Sequence, residues 1–166
     1  MFGTHFLDTS ALFTVMNYKS DKVHILKTPH EIAEHVSDRI IEVIKANEKQ
    51  GKPTILCLPT GSTPILTYKA LVSKYKSGQV SFENVITFNL DEYYPMEPTH
   101  KQSYHYFMHE NFFSHVNIKP ENIHIPNGVL EMEKVGEFCE AYEKKIQDLG
   151  GFDLALLVGF NVLVDN

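Results

Sequence analysis

Two short apolar runs, Thr54-Ile55-Leu56-Cys57-Leu58 and Val85-Ile86-Thr87-Phe88-Asn89-Leu90, lie on either side of a single amphipathic stretch. A strand covered on both faces reads as a continuous apolar run, and two of them separated by one helix make a βαβ unit. This unit constrains the fold more than any other feature of the chain. Strand, helix, strand at this spacing requires a parallel pair joined by a right-handed crossover. In the connecting helix Thr63-Pro64 reads as cap plus first helical residue, Leu66, Ala70 and Leu71 share a face, and Gly78 is the stop.

The flanking segments repeat the theme. Thr28-Pro29-His30-Glu31 supplies an N-cap hydroxyl, a proline at the first helical position and a capping-box glutamate. Ile32, Val36, Ile40 and Val43 then recur at helical spacing, and Gly51 marks the end before Lys52-Pro53. Ser103 opens an aromatic-rich helix (Tyr104, Phe107, Phe112) that leads to a short strand, Asn122-Ile123-His124-Ile125, and the turn Pro126-Asn127-Gly128. A longer helix from about Glu131 places Val135, Phe138, Tyr142 and Ile146 on one face and stops at Gly150-Gly151, before a third strong strand at Asp153–Val158. Residues 1–22 show no clear period and form an undetermined N-terminal arm. No repeats or linkers interrupt the rest, so the expectation is one α/β domain over 23–158, a parallel sheet with helices on both faces, followed by a tail at 159–166.

Composition narrows the functions open to such a domain. The 166 residues carry a formal charge of −6, Arg39 is the only arginine, and no basic cluster occurs. Nucleic acid and anionic membrane are therefore poor partners, since phosphate-backbone affinity comes from clustered Lys and Arg. No apolar run reaches bilayer-spanning length, and Met1-Phe2-Gly3-Thr4-His5 lacks the basic start of a signal peptide. Cys57 and Cys139 lie far apart and read as reduced thiols, so the expected compartment is the cytoplasm.

In open parallel sheets ligands collect at the carboxyl ends of the strands. Two features sit at such ends. Leu58-Pro59-Thr60-Gly61-Ser62-Thr63-Pro64 is a strand-to-helix turn with a glycine, three hydroxyls and the free N–H groups of a first helical turn, which suits an anion such as phosphate. It reads equally as a well-capped turn. No Gly-Lys-Ser/Thr follows and no G-x-G-x-x-G fingerprint is present, so neither an ATPase loop nor a dinucleotide site is indicated. Asp91 and Glu92 end the second strand; if the chain is extended there they point to opposite faces, and only one can meet a ligand. Asp91 fits a general base beside a carbonyl and fits a loop cap just as well. His105 and His109, with His100, His115 and Glu110 nearby, lack the H-E-x-x-H pattern and read as a half-exposed helix face, so no metal is assigned. The stripe Tyr104, Phe107, Met108, Phe112 reads as core, because no cation interleaves it.

The blocks Leu58–Pro64, Thr67-Tyr68-Lys69-Ala70-Leu71, Gly78-Gln79-Val80-Ser81-Phe82 and Thr87-Phe88-Asn89-Leu90-Asp91-Glu92-Tyr93 closely resemble the glucosamine-6-phosphate deaminase (isomerase) family. The likeness continues through Ser103-Tyr104, Phe107-Met108-His109, Asn111-Phe112-Phe113 and Glu121-Asn122-Ile123, and covers roughly Val23 to Val158. It implies a Rossmann-like α/β fold and conversion of glucosamine 6-phosphate and water to fructose 6-phosphate and ammonia, without metal or organic cofactor. By the same resemblance Thr60, Gly61, Ser62 and Thr63 contribute to the substrate phosphate site. Asp91 becomes the base that moves a proton between C2 and C1 of the ring-opened sugar, which settles the choice that spacing left open. A hexosamine 6-phosphate is the implied small-molecule partner, and self-association is common among full-length relatives.

The chain departs from the family pattern after the third strand. The family continues with a glycine-rich turn, a Gly-His pair and a Gly-Phe-Asn-Glu-Pro block that assist ring opening, and later supplies an arginine and a lysine to the phosphate. Here Gly159-Phe160-Asn161-Val162-Leu163-Val164-Asp165-Asn166 follows, and no histidine comes after His124. The expectation is a polypeptide incomplete relative to the family, which releases little or no ammonium by itself. A 6-phosphogluconolactonase-like enzyme and a non-catalytic sugar-phosphate-binding module are the alternative readings.

Overall fold

The computed structural model describes residues 23–157; the N-terminal arm 1–22, Val158 and the tail 159–166 lie outside the described residues. Helix α1 runs Pro29–Glu48, and its start is the one the sequence requires. The Thr28 hydroxyl accepts the Glu31 N–H at 3.1 Å, while the Glu31 carboxylate accepts the Lys27 N–H at 2.8 Å. Strand β1 (Thr54–Cys57), helix α2 (Ile65–Lys76) and strand β2 (Val85–Phe88) form the βαβ unit, with β1 and β2 parallel and Thr54 opposite Val85. Helix α3 (Tyr104–Asn111) leads to strand β3 (Ile123–His124), and helix α4 (Val135–Asp148) to strand β4 (Leu154–Ala155). All pairings are parallel, in the order β3-β2-β1-β4. The order places the ends of β1 and β2 side by side at the centre of the sheet.

Strand pairing assigns each side chain to a face. Leu56, Thr87, Ile123 and Leu154 are register partners and share one face; Cys57, Phe88, His124 and Ala155 share the other. The first face carries the main core, where Ile40 of α1, Tyr68 and Leu71 of α2, Phe82, and Met108 of α3 with the following Phe112 are fully buried together. Phe112 is central to it, with ring centroids 5.3 Å from Tyr68 and 5.2 Å from Phe82. A buried Lys74 links α2 to α1, its ammonium 2.5 Å from Asp38, 2.8 Å from the Ser37 hydroxyl and 2.9 Å from the Glu34 carboxylate. The second face is covered by α4, whose Tyr142 ring meets Phe88 edge-on at 5.4 Å.

Several expectations change on contact with the structure. Strand β2 stops at Phe88 rather than Leu90, where the Asn89 N–H donates to the His124 carbonyl at 2.9 Å as the last bond of the β2–β3 ladder. The α2 helix begins at Ile65, with Pro64 in the cap position and no side-chain cap. The Thr63 hydroxyl is therefore not spent on capping. Val135, Phe138, Tyr142 and Ile146 share one face of α4 as their spacing requires, and all four are half-buried. Their face borders an open groove of about 610 Å³ bounded by Leu90–Tyr94 and Pro126–Gly128. Tyr104 leaves the core: Met108 and Phe112 are fully buried and Phe107 packs against them, whereas Tyr104 turns to Tyr93 with a centroid separation of 4.8 Å. No helix among the described residues is long and apolar enough to cross a membrane.

Candidate active site

The loop after β1 has the makings of an anion cradle. Its two proline-flanked ends are fixed and its middle is open. The Leu58 N–H continues the ladder to the Phe88 carbonyl at 2.9 Å, and at the far end the Ile65 N–H reaches the Ser62 carbonyl at 3.4 Å. Gly61 adopts φ +97°, a left-handed conformation that side chains disfavour. Among the described residues the N–H groups of Thr60, Gly61, Ser62 and Thr63 meet no acceptor. Consecutive free N–H groups around a left-handed glycine form a nest with net positive potential. Gly61, Ser62 and Thr63 are exposed and Thr60 is half-buried.

The two carboxylates at the end of β2 are separated by what they bond. Glu92 accepts three backbone N–H groups: those of Tyr93 and Tyr104 at 2.9 Å and that of His105 at 3.0 Å. It caps the first turn of α3, alongside Ser103, whose hydroxyl accepts the Tyr106 N–H at 2.9 Å. The capping duty that sequence left open for Asp91 thus falls to Glu92. Asp91 stays exposed, and no side-chain hydrogen bond to another residue occupies its carboxylate among the described residues. Burial of part of the group, then the charge of Glu92, raise the Asp91 carboxyl above its ordinary value, against a lowering contribution from its own backbone N–H. A carboxylate with a raised pKa and free oxygens is a better proton acceptor than an ordinary aspartate.

Residues invisible to motif reading tie the strand ends together. The fully buried Asn89 donates its side-chain amide to the Leu58 carbonyl at 2.8 Å, clamping the β1 loop to the β2 end. Tyr142 lies with its hydroxyl 2.8 Å from the Asn89 carbonyl and 2.9 Å from the His124 carbonyl, sharing one proton between them. The Tyr104 phenol is raised first by its hydrogen bond with Tyr93, then by burial and the Asp91 charge, against an opposing bond with Thr60. The signal in sequence was a polar Asn89 inside an apolar run, which needs a partner once buried. Gly128 supports the Asp91 side, because a Cβ there would lie 2.6 Å from the Tyr93 carbonyl oxygen.

The predicted site residues are not gathered into one enclosed cavity. Asp91 lines the groove beside α4. Ser62 and Thr63 line a second cavity of about 340 Å³ with Pro29, Ile32, Leu156 and Leu157. Neither lining contains a lysine or arginine. His105 and His109 stack with centroids 4.6 Å apart, and burial followed by the His105 charge lowers the His109 imidazole. No group of three or more His, Cys, Asp or Glu that could hold a metal ion occurs among the described residues. Cys57 is buried and Cys139 exposed, both free.

An open parallel sheet covered by helices, with a nest and an unpaired carboxylate at adjacent strand ends, is an α/β domain of the doubly wound kind. Residues 27–159 match the family described as glucosamine-6-phosphate isomerases/6-phosphogluconolactonase, and the chain belongs to it. A glucosamine-6-phosphate deaminase from Thermoanaerobacter sp. (strain X514) is 51% identical over 129 residues, which cover 77% of this chain and 50% of the relative. One from Treponema denticola is 48% identical over 124 residues, 75% of this chain and 44% of the relative. The chain thus spans about half the length of the curated relatives it matches. Among solved structures, a monomeric glucosamine-6-phosphate deaminase superposes with a TM-score of 0.77 at 33% identity, covering 83% of this chain and 55% of that one. A 6-phosphogluconolactonase from Thermotoga maritima shares the fold, with a TM-score of 0.63 at 22% identity over 80% of this chain and 56% of that one.

Proposed function

We propose that this chain supplies the phosphate cradle and the proton-transferring base of a glucosamine-6-phosphate deaminase. Thr60, Gly61, Ser62 and Thr63 receive the phosphate of a hexosamine 6-phosphate. Asp91 takes the proton from C2 of the open-chain amino aldehyde and returns it at C1. That transfer, together with passage of an amine proton to O1, converts the C2 amine into an imine of the ketose, to which water adds with loss of ammonia, leaving fructose 6-phosphate. The observation that carries the reading is the division of labour at the β2 end, where Glu92 is committed to capping α3 and Asp91 is left free with a raised carboxyl. The curated relatives named above support the choice of substrate over a lactone, for which the fold alone speaks. The cytoplasm suits such a substrate.

The test separates binding from chemistry. Glucosamine 6-phosphate raises the melting temperature of the 166-residue chain, and in deuterium oxide the chain exchanges the sugar's C2 proton, read by proton NMR. Asp91→Asn keeps the thermal shift and slows exchange about a hundredfold or more, the usual contribution of a general base. Exchange that survives Asp91→Asn, or hydrolysis of 6-phosphogluconolactone in place of exchange, would sink the reading.

A further inference from the structure

The carbonyls at the entrance to the cradle are held from below by two buried side chains. Tyr68, fully buried in the first turn of α2, donates its hydroxyl to the Pro59 carbonyl. Asn89, the residue that follows β2, donates to the Leu58 carbonyl at 2.8 Å. Neither residue faces the cradle, and neither belongs to the loop. The ring of Tyr68 already has a packing role, stacked on Phe112 at 5.3 Å. Its hydroxyl serves a different purpose. A trans peptide is planar, so the Thr60 N–H points opposite to the Pro59 carbonyl in the same unit. Pinning that carbonyl inward turns the Thr60 N–H outward, and the left-handed Gly61 carries the orientation into the next units. Burial keeps the Tyr68 phenol protonated well above neutral pH, so it remains a donor.

The geometry points to Tyr68 as a positioning residue for anion binding, setting the direction of the Thr60 N–H through the Pro59 carbonyl, while Asn89 anchors the Leu58–Pro59 unit, which carries no N–H, at the start of the loop. This rests on the phosphate role proposed above for the loop. Without the pins the peptide units are free to rotate, and a bound anion must first order them at its own expense.

The test titrates the full ¹⁵N-labelled chain with inorganic phosphate at constant ionic strength and follows the Thr60 and Gly61 amide resonances. In the unsubstituted chain these amides shift saturably. Tyr68→Phe retains the ring and its stacking, and phosphate affinity falls about tenfold, the equilibrium equivalent of one hydrogen bond. Tyr75→Phe is the control, since Tyr75 packs on Phe82 at a centroid distance of 6.3 Å and removes a phenol remote from the loop. Its affinity stays unchanged. Reading amides of the folded chain excludes a loss due to unfolding alone. An unchanged affinity in Tyr68→Phe, or an equal fall in Tyr75→Phe, overturns the positioning role while leaving the phosphate reading in place. No response of the Thr60 and Gly61 amides in the unsubstituted chain overturns both.

Discussion

Replacing Glu92 by glutamine probes the link between the α3 cap and the candidate base. The carboxylate oxygens accept three backbone N–H groups, two on one oxygen and one on the other. Glutamine has a single carbonyl oxygen, so at least one N–H then faces an amide NH₂. The charge that favours a helix N-terminus disappears as well. An N-cap of this kind is worth about 1–2 kcal/mol, and Ser103 remains to hold part of the turn. For a domain of this size the loss lowers the melting temperature by roughly 3–6 °C.

The same substitution has a second, opposite-signed readout. Glu92 is the second cause, after burial, of the raised Asp91 carboxyl, so removing its charge moves the Asp91 titration down toward the ordinary 3.8. Burial holds it above that value. Carbonyl-detected carbon NMR follows the Asp91 carboxyl directly, and calorimetry gives the melt. A Glu92→Gln chain with an unmoved or higher Asp91 midpoint would refute the electrostatic coupling, and an unchanged melt would refute the cap. If the variant folds normally but loses C2 proton exchange, the roles assigned to the two carboxylates must be reversed.

Two further predictions follow from buried groups. Lys74→Met destabilises the domain by about 1–2 kcal/mol near neutral pH, measured by urea unfolding, because the ammonium joins α2 to Glu34 and Asp38 of α1. Despite burial, the hydrogen bonds to Asp38 and Glu34 raise the Lys74 ammonium above 10.5, so its contribution is full below that pH and fades as pH rises through the folded value; a difference that persists undiminished at strongly alkaline pH would contradict the assignment. The Cys57 thiol is pushed up to about 11 by burial and then by Asp91, while Cys139 is exposed. Iodoacetamide at mildly alkaline pH should therefore modify Cys139 alone, with Cys57 reacting after urea, as read by peptide mass spectrometry.

The local devices of this fold were legible because they depend on neighbours in sequence. Thr28-Pro29-His30-Glu31 capped α1 as written, Ser103 capped α3, and the glycines at 51, 78 and 150–151 took the left-handed conformations that end helices. The apolar runs became parallel strands in one sheet. Less legible were the element ends: β2 stops two residues early, where the Asn89 side chain bonds the distant Leu58 carbonyl, and α2 starts at Ile65 with Pro64 in the cap position. The Thr63 hydroxyl, read from sequence as the cap, does not serve as one. Periodicity marked the inward face of α4 but not how deeply it is covered, because a repeating apolar face records what a helix could bury rather than what reaches it.

At the site the balance differs. Sequence determined which residue types stand at the strand ends: a glycine-hydroxyl loop after β1 and two adjacent carboxylates after β2. Only the tertiary structure decided their duties. Glu92 caps α3 because that helix starts beside it, twelve positions further along, and Asp91 is left with free oxygens because Glu92 has taken the N–H groups. The direction of the Thr60 N–H likewise depends on Tyr68, whose hydroxyl reaches the Pro59 carbonyl from α2. The physical reason is common to both cases. Chemical identity and local turn preference are properties of the chain, whereas the partner that consumes or spares a polar atom is set by packing across the sheet.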